Sequence, residues 1–200
     1  MCILLFRKTS NVFVFIQAVR SYNRILDLKE KHVDLQVLQI LVQVTVEKKE
    51  DAGGVQQPAL TSNVLKLFGR LTSQVTNNAD VWQAYADLMC AVEQRTTYQV
   101  VQTRQKAFRS AVQAKSWEKD INTCLSTLNS CEKFIESCII LLSNERAKEN
   151  IQLASSAKLS MFAAISQVKR CYEFEIPEQI KDKLCLLEPK LNELTTLLVQ

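Results

Sequence analysis

Glycine and proline are scarce, with 3 of each in 200 residues. A β-sandwich or barrel draws on both at its many turns, so the shortage argues against those architectures and favours long uninterrupted helices. Histidine occurs once, as His32 in the charged stretch Lys29-Glu30-Lys31-His32, where a solvated side chain is the plain reading. No glycine-rich phosphate loop, nucleophile elbow or metal-spaced acidic cluster is present, which leaves catalysis without a foundation. The 7 cysteines are odd in number, widely spaced and free of any Cys-X-X-Cys pair. That pattern points away from a disulfide framework or a zinc site and toward reduced, mostly buried thiols of the cytosol or nucleus. Cys124, Cys131 and Cys138 recur every seventh residue and share one helix face. Neighbours in that series stand ~10 Å apart along a helix, too far to chelate one ion, so they read as core. Long apolar runs are missing too. Arg7 and Lys8 split the apolar start, Met1 to Ile16, below the ~18 residues a membrane span needs. No basic region precedes it, as a secretory signal would require. No Asn-X-Ser/Thr sequon occurs, which fits an intracellular chain.

What the chain has is hydrophobic content, 47% of its residues, arranged at helical spacing. That is enough to bury a sizeable core as one domain or two small ones. A first helix is expected from about Gln17 to Leu28, with Ala18, Tyr22, Ile25 and Leu26 on one face. Asp34 can cap a second helix holding Val37, Leu38, Ile40, Leu41 and Val44. The β-branched run Val42, Val44, Thr45 and Val46 makes a strand the competing local reading, but a lone strand would lack a partner. Glu47 to Ala59, with Gly53-Gly54 and Pro58, reads as a loop. Thr61 or Ser62 then opens a helix with Leu65, Phe68 and Leu71 inward. Asn77 to Asp80 breaks the chain, and Asp80 is the expected cap of a helix carrying Trp82, Tyr85, Leu88 and Met89.

A partner helix follows near Tyr98 to Ala114, with Val101, Ala107, Phe108, Ala111 and Val112 as its packing face. Three longer helices are expected at roughly 117–143, 146–174 and 178–199. The first has a four-three seam of Ile121, Leu125, Leu128, Ile135, Ile139 and Leu142, interrupted by Glu132. The second has Ile151, Ala154, Met161, Ile165, Val168 and Tyr172, interrupted by Lys158. The third has Ile180, Leu184, Leu187, Leu191, Leu194 and Leu198. Pro189 should kink or split that third helix. Three such seams joined by short polar turns describe an antiparallel helical bundle.

Trp82, Ala86, Phe108 and Ala111 have the large-and-small spacing of a tetratricopeptide helix pair, in which large residues fill the gap and small ones let backbones approach. Ala18 and Tyr22 fit the second helix of an earlier repeat. Leu41 with Phe68 would belong to a middle pair, and Tyr85 stands beside Trp82 on the last one. The stretches Ala18–Leu28, Asp34–Val42, Leu67–Asn77 and Trp117–Ile121 resemble the C-terminal part of the tetratricopeptide repeat protein 27 family. Ile151–Ser156 and Lys158–Ser160 resemble its closing bundle more loosely. The resemblance runs from about Phe15 to the C-terminus and is strongest over 15–121. Residues 1–14 do not match, as expected of a truncated chain or an artefactual start.

The fold expected is therefore all-α, a tetratricopeptide-like α-solenoid over 15–116 followed by a C-terminal antiparallel helical bundle over 117–200. The resemblance implies a non-enzymatic, intracellular scaffold with no cofactor. Its implied partners are other proteins, chaperones and splicing-factor clients among them, in assembly of spliceosomal ribonucleoprotein.

Nucleic acid is the rival partner. Residues 1–116 hold 15 Lys/Arg and 9 Asp/Glu, a net of +6, while 117–200 hold 10 and 12, a net of −2. The basic half could attract phosphate or an acidic ligand, yet its charges are dispersed and not interleaved with aromatics. A cut solenoid would expose Phe13, Phe15, Val19 and Tyr22, whereas a genuine helix over 1–16 would cap the array. Asp80, Gln83 and Asp87 would line the concave side near Trp82, and two acids there would repel a carboxylate.

Overall fold

The computed structural model describes residues 12–29, 33–51, 58–93 and 96–199. His32, Gly53-Gly54, residues 1–11 and the side chains of Phe13, Phe15 and Val44 lie outside the described residues. Every regular element among the described residues is an α-helix, so the chain is all-α. The chain divides into two compact units, the first ending at Gln94 and the second starting at Arg95.

The first unit contains α1 (Val12–Leu28), α2 (Leu35–Asp51), α3 (Pro58–Gln74) and α4 (Ala79–Glu93). Helix α1 packs on α3, α2 on α4 and α3 on α4, with a lighter contact between α2 and α3. Neighbourhood between alternate helices is what stacked helical hairpins produce. The shared core takes Val19, Tyr22 and Leu26 from α1, Leu38 and Leu41 from α2, Phe68 and Leu71 from α3, and Val81 and Leu88 from α4. Val19 and Tyr22 are thus buried in this unit and do not form an exposed end face, because the stripe they share with Leu26 belongs to that core.

Local chemistry sets the helix ends. Asp34 caps α2 as expected, its Oδ1 accepting from Val37 N at 3.1 Å. The β-branched stretch 42–46 is helical, and Thr45 satisfies its buried hydroxyl by donating to Leu41 O at 2.7 Å. The expected loop from Glu47 is instead helix as far as Asp51, since the intervening Glu and Lys residues are good helix formers and carry no breaker. Helix α3 opens at Pro58, ahead of Thr61 and Ser62, because proline at the first helical position gives up an N–H that has no partner there anyway. Asn78, not Asp80, caps α4. Its Oδ1 accepts from Val81 N at 3.1 Å, and Asp80 falls in the first turn, where a carboxylate favours the positive end of the helix dipole.

The second unit contains α5 (Tyr98–Val112), α6 (Ile121–Asn144), α7 (Lys148–Cys171) and α8 (Glu178–Val199). Thr97 caps α5 and Asp120 caps α6, each accepting from the backbone N–H three residues on. Helix α6 therefore starts at Ile121 and not at Trp117. Trp117 lies in the preceding turns, fully buried, next to Ser116 in the left-handed region at φ 58°. Helix α6 contacts α5, α7 and α8, and α7 also contacts α5 and α8.

The buried seam of α6 runs Cys124, Leu128, Cys131, Ile135, Cys138 and Leu142. Ile121 is exposed and Leu125 and Ile139 only flank the core, so the seam is rotated from the expected one. The cysteines take the central positions because a small apolar thiol fits where helices approach closely. In α7 the buried line is Ala154, Ala157, Met161, Ile165 and Val168, with Lys158 beside it. Helix α8 buries Ile180, Leu184, Leu187, Leu191 and Leu194 and is not split by Pro189. Pro189 is on the exposed side, where water can serve the carbonyl one turn earlier.

Compactness parts the chain at 94/95, ahead of the expected passage from repeats to closing helices near 116. Val101 and Phe108 of α5 share their core with Phe134, Ile135 and Leu184, and this draws α5 into the second unit.

Candidate protein-interaction surface

Tyr22, Leu41, Phe68 and Tyr85 come together in the first unit's core, Tyr85 at its edge. The Phe68 and Tyr85 rings stack at 5.7 Å and 6°. Tyr22 bridges two helices: its hydroxyl accepts from Asp34 N at 3.0 Å and so fixes the entry to α2 against α1. Burial pushes the Tyr22 and Tyr85 hydroxyls above the usual phenol range. Ala18 is half-buried on α1. Trp82 and Ala86 are buried on α4, and the Trp82 indole N–H donates to Thr76 O at 2.7 Å, tying the helix to the turn before it. Phe108 and Ala111 are buried on α5, where Phe108 meets Phe134 at 6.0 Å. The expected pairing of Trp82 with Phe108 joins residues of different units and passes to the proposal below.

Asp80 is exposed, and Gln83 Nε2 donates to Asp87 Oδ1 at 3.1 Å. The amide and the acid engage each other along the helix, and the exposed Asp80 carboxylate adds negative charge nearby. Across from α4, Arg70 of α3 reaches α1, donating to Asp27 Oδ1 at 2.6 Å and to Asn23 O at 3.3 Å.

Sequence reasoning saw Glu132 only as an interruption. In the structure it is the hub of a cross-helix network: Lys183 donates to Glu132 Oε2 at 2.5 Å and Lys190 to Glu132 Oε1 at 2.7 Å. Lys190 also pairs with Glu136. The Lys183 and Lys190 hydrogen bonds hold the Glu132 carboxyl below the usual carboxylate range, and Glu132 with Glu136 hold the Lys190 ammonium above its own. A signal was present, since two acids four apart and two lysines seven apart each share a helix face. What the spacing lacked was which helices would face each other. Further pins are Arg146 donating to Leu197 O at 2.7 Å and the Tyr172 hydroxyl to Lys119 O at 3.4 Å.

Burial pushes the Cys131 and Cys138 thiols up to about 12 and Cys124 to about 11, which suits inert packing. Among the described residues, no group of three His, Cys, Asp or Glu side chains could hold a metal ion. No described helix is long and apolar enough to cross a membrane.

Over 107 residues, 53% of its length, the chain is 36% identical to a tetratricopeptide repeat protein 27 homolog of Dictyostelium discoideum. The matched stretch covers 12% of that curated relative. No family model and no solved structure matches the chain. Over that stretch the chain is similar to a tetratricopeptide repeat protein 27 homolog, and its described helices agree with an all-α fold.

Proposed function

We propose that the chain is a non-enzymatic protein-interaction scaffold, with tetratricopeptide-like helices over 15–116 and a closing antiparallel helical bundle over 117–200. The observation that carries this is the 36% identity to a tetratricopeptide repeat protein over 107 residues. Repeats of that type bury one face against the next and offer extended surfaces to other proteins. The alternate-helix packing of α1 to α4 supports the reading. So does the burial of Tyr22, Leu41, Phe68, Trp82, Ala86, Phe108 and Ala111.

In the finer form, drawn from the resemblance, the chain acts inside the cell as an adaptor in chaperone-assisted assembly of spliceosomal ribonucleoprotein. Asp80 and Asp87 repel a terminal carboxylate, so a chaperone tail would be held elsewhere than on α4.

The test is affinity purification of the tagged chain after crosslinking in cells, with and without ribonuclease. Chaperones and splicing factors that stay bound after nuclease support the adaptor. Partners that all vanish with the RNA replace it with a nucleic-acid module acting through the basic half.

A further inference from the structure

Helix α7 buries one side in the second unit and leaves the other to solvent. Leu159 stands at its centre, 71% exposed, with Phe162 43% exposed beside it. Around them are the exposed small residues Ser155, Ser156, Ala163 and Ser166. From Asn150 through Tyr172 the chain contains no Asp or Glu, and the exposed Glu149 lies ~100° round the helix from Lys148, off the stripe. Lys148 and Arg170 are exposed and each stands eleven residues from Leu159, which at 100° per residue puts all three on one line along the helix. The stripe thus has an apolar centre, a floor of small residues broken only by the exposed Gln152, and a cation ~16 Å away at either end. Lys169, off to one side, is already paired with Glu188 of α8 and so is not part of it. Ser160 donates to Ser156 O at 3.1 Å, so a helix lying here would meet a hydroxyl already satisfied.

We infer that this face is a docking site for an amphipathic helix of a partner protein that carries apolar residues at its centre and carboxylates at both ends. Charge complementarity selects the occupant. A basic helix would bring cations against Lys148 and Arg170 with no acid on the stripe to offset them. An acidic one places carboxylates on both while its apolar residues cover Leu159 and Phe162. Small side chains on the floor let two helix axes approach closely, as ridges-into-grooves packing requires. The symmetry of the charges admits either helix direction. This site rests on the scaffold reading and names one surface and partner chemistry for it.

The probe is a synthetic helical peptide of about six turns with two leucines four residues apart at its centre and glutamates at both ends. A control peptide carries lysines in place of the glutamates. Binding to the whole chain is measured by fluorescence anisotropy. The glutamate peptide should bind, the lysine peptide at least about tenfold more weakly. Leu159→Gln should weaken the glutamate peptide by about tenfold or more with an unchanged melting curve, as befits an exposed side chain. Lys148→Glu with Arg170→Glu should reverse the preference between the two peptides. Equal binding of both peptides, or no effect of Leu159→Gln, overturns the proposal. So does self-association through this face, or binding of phosphatidylserine vesicles by it, in place of the peptide. If peptide binding fails while the nuclease-resistant partners persist in Leu159→Gln, the docking site falls and the scaffold reading stands.

Discussion

Gly69 faces solvent on α3, and a Cβ built there meets nothing within 4 Å. Its backbone is helical, so it contributes flexibility to the unfolded chain and nothing to packing. Gly69→Ala should therefore raise stability by about 0.5–1 kcal/mol, read as a higher urea midpoint with an unchanged slope. Trp82 is a different case, because its ring is buried and its N–H is committed to Thr76. Trp82→Ala should cost about 3–5 kcal/mol, and a melting curve like that of the wild type would remove Trp82 from the proposed repeat packing. The cysteines divide by environment. Cys171 and Cys185 are exposed, whereas Cys124, Cys131 and Cys138 are buried with thiols well above their ordinary range. Iodoacetamide at pH 8 should label the exposed pair within minutes and reach the buried three only after unfolding, since the thiolate is the reacting form.

Between helices the decisive feature is the Glu132 network joining α6 to α8. Glu132→Gln should cost about 1–3 kcal/mol at neutral pH, because Lys183 and Lys190 lose their charged acceptor in a half-buried setting. The Glu132 pKa is lowered in the fold, so its contribution is present above the unfolded carboxylate range and is lost as pH falls through the folded value. Wild type and Glu132→Gln should then begin to converge in stability as pH falls below the ordinary glutamate value of about 4.3. A gap that stayed constant down to pH 3 would assign the loss to packing.

The same helices show where the sequence was legible. The α8 seam and most of α7 could be read directly, because their leucines, alanines and valines keep an uncontested four-three spacing. On α6 two candidate seams overlap, and cysteine against isoleucine gave hydropathy no means of ranking them. What decides is the close approach of the neighbouring helices, which no single segment contains. Caps were legible at Asp34, whereas Asn78 competed with Asp80 two residues away and either side chain can accept the same kind of bond. Tyr22 and Phe68 stood out in the sequence as large residues on apolar faces and are buried in the first unit, while their part in repeat packing belongs to the proposal. The exposed α7 stripe was not, because its serines and alanines looked like filler between core positions.

Each compact unit holds one tryptophan, Trp82 in the first and Trp117 in the second. That gives a separate optical report on each. Trp117→Phe keeps an aromatic ring at this fully buried site but loses volume, so it should cost about 0.5–3 kcal/mol and leave the fold intact. In that variant, fluorescence follows the first unit alone, and in Trp82→Phe it follows the second. The described core of the second unit is the larger, so its transition should come at higher denaturant, with the first unit melting ahead of it. Coincident transitions would mean that the whole chain unfolds as one.

Helix after helix settles its inward hydroxyls at home: Thr45 on Leu41 O, Thr72 on Phe68 O, Thr103 on Gln99 O, Thr127 on Thr123 O and Ser137 on Lys133 O. A face whose polar groups are closed onto its own backbone makes no directional demand on whatever lies against it. Descendants of such a chain can exchange, add or drop a neighbouring helix and face only a question of shape. Ser130, whose buried hydroxyl has no protein partner, marks a position on α6 where a new neighbour bearing a carbonyl or amide would be welcomed for more than its bulk.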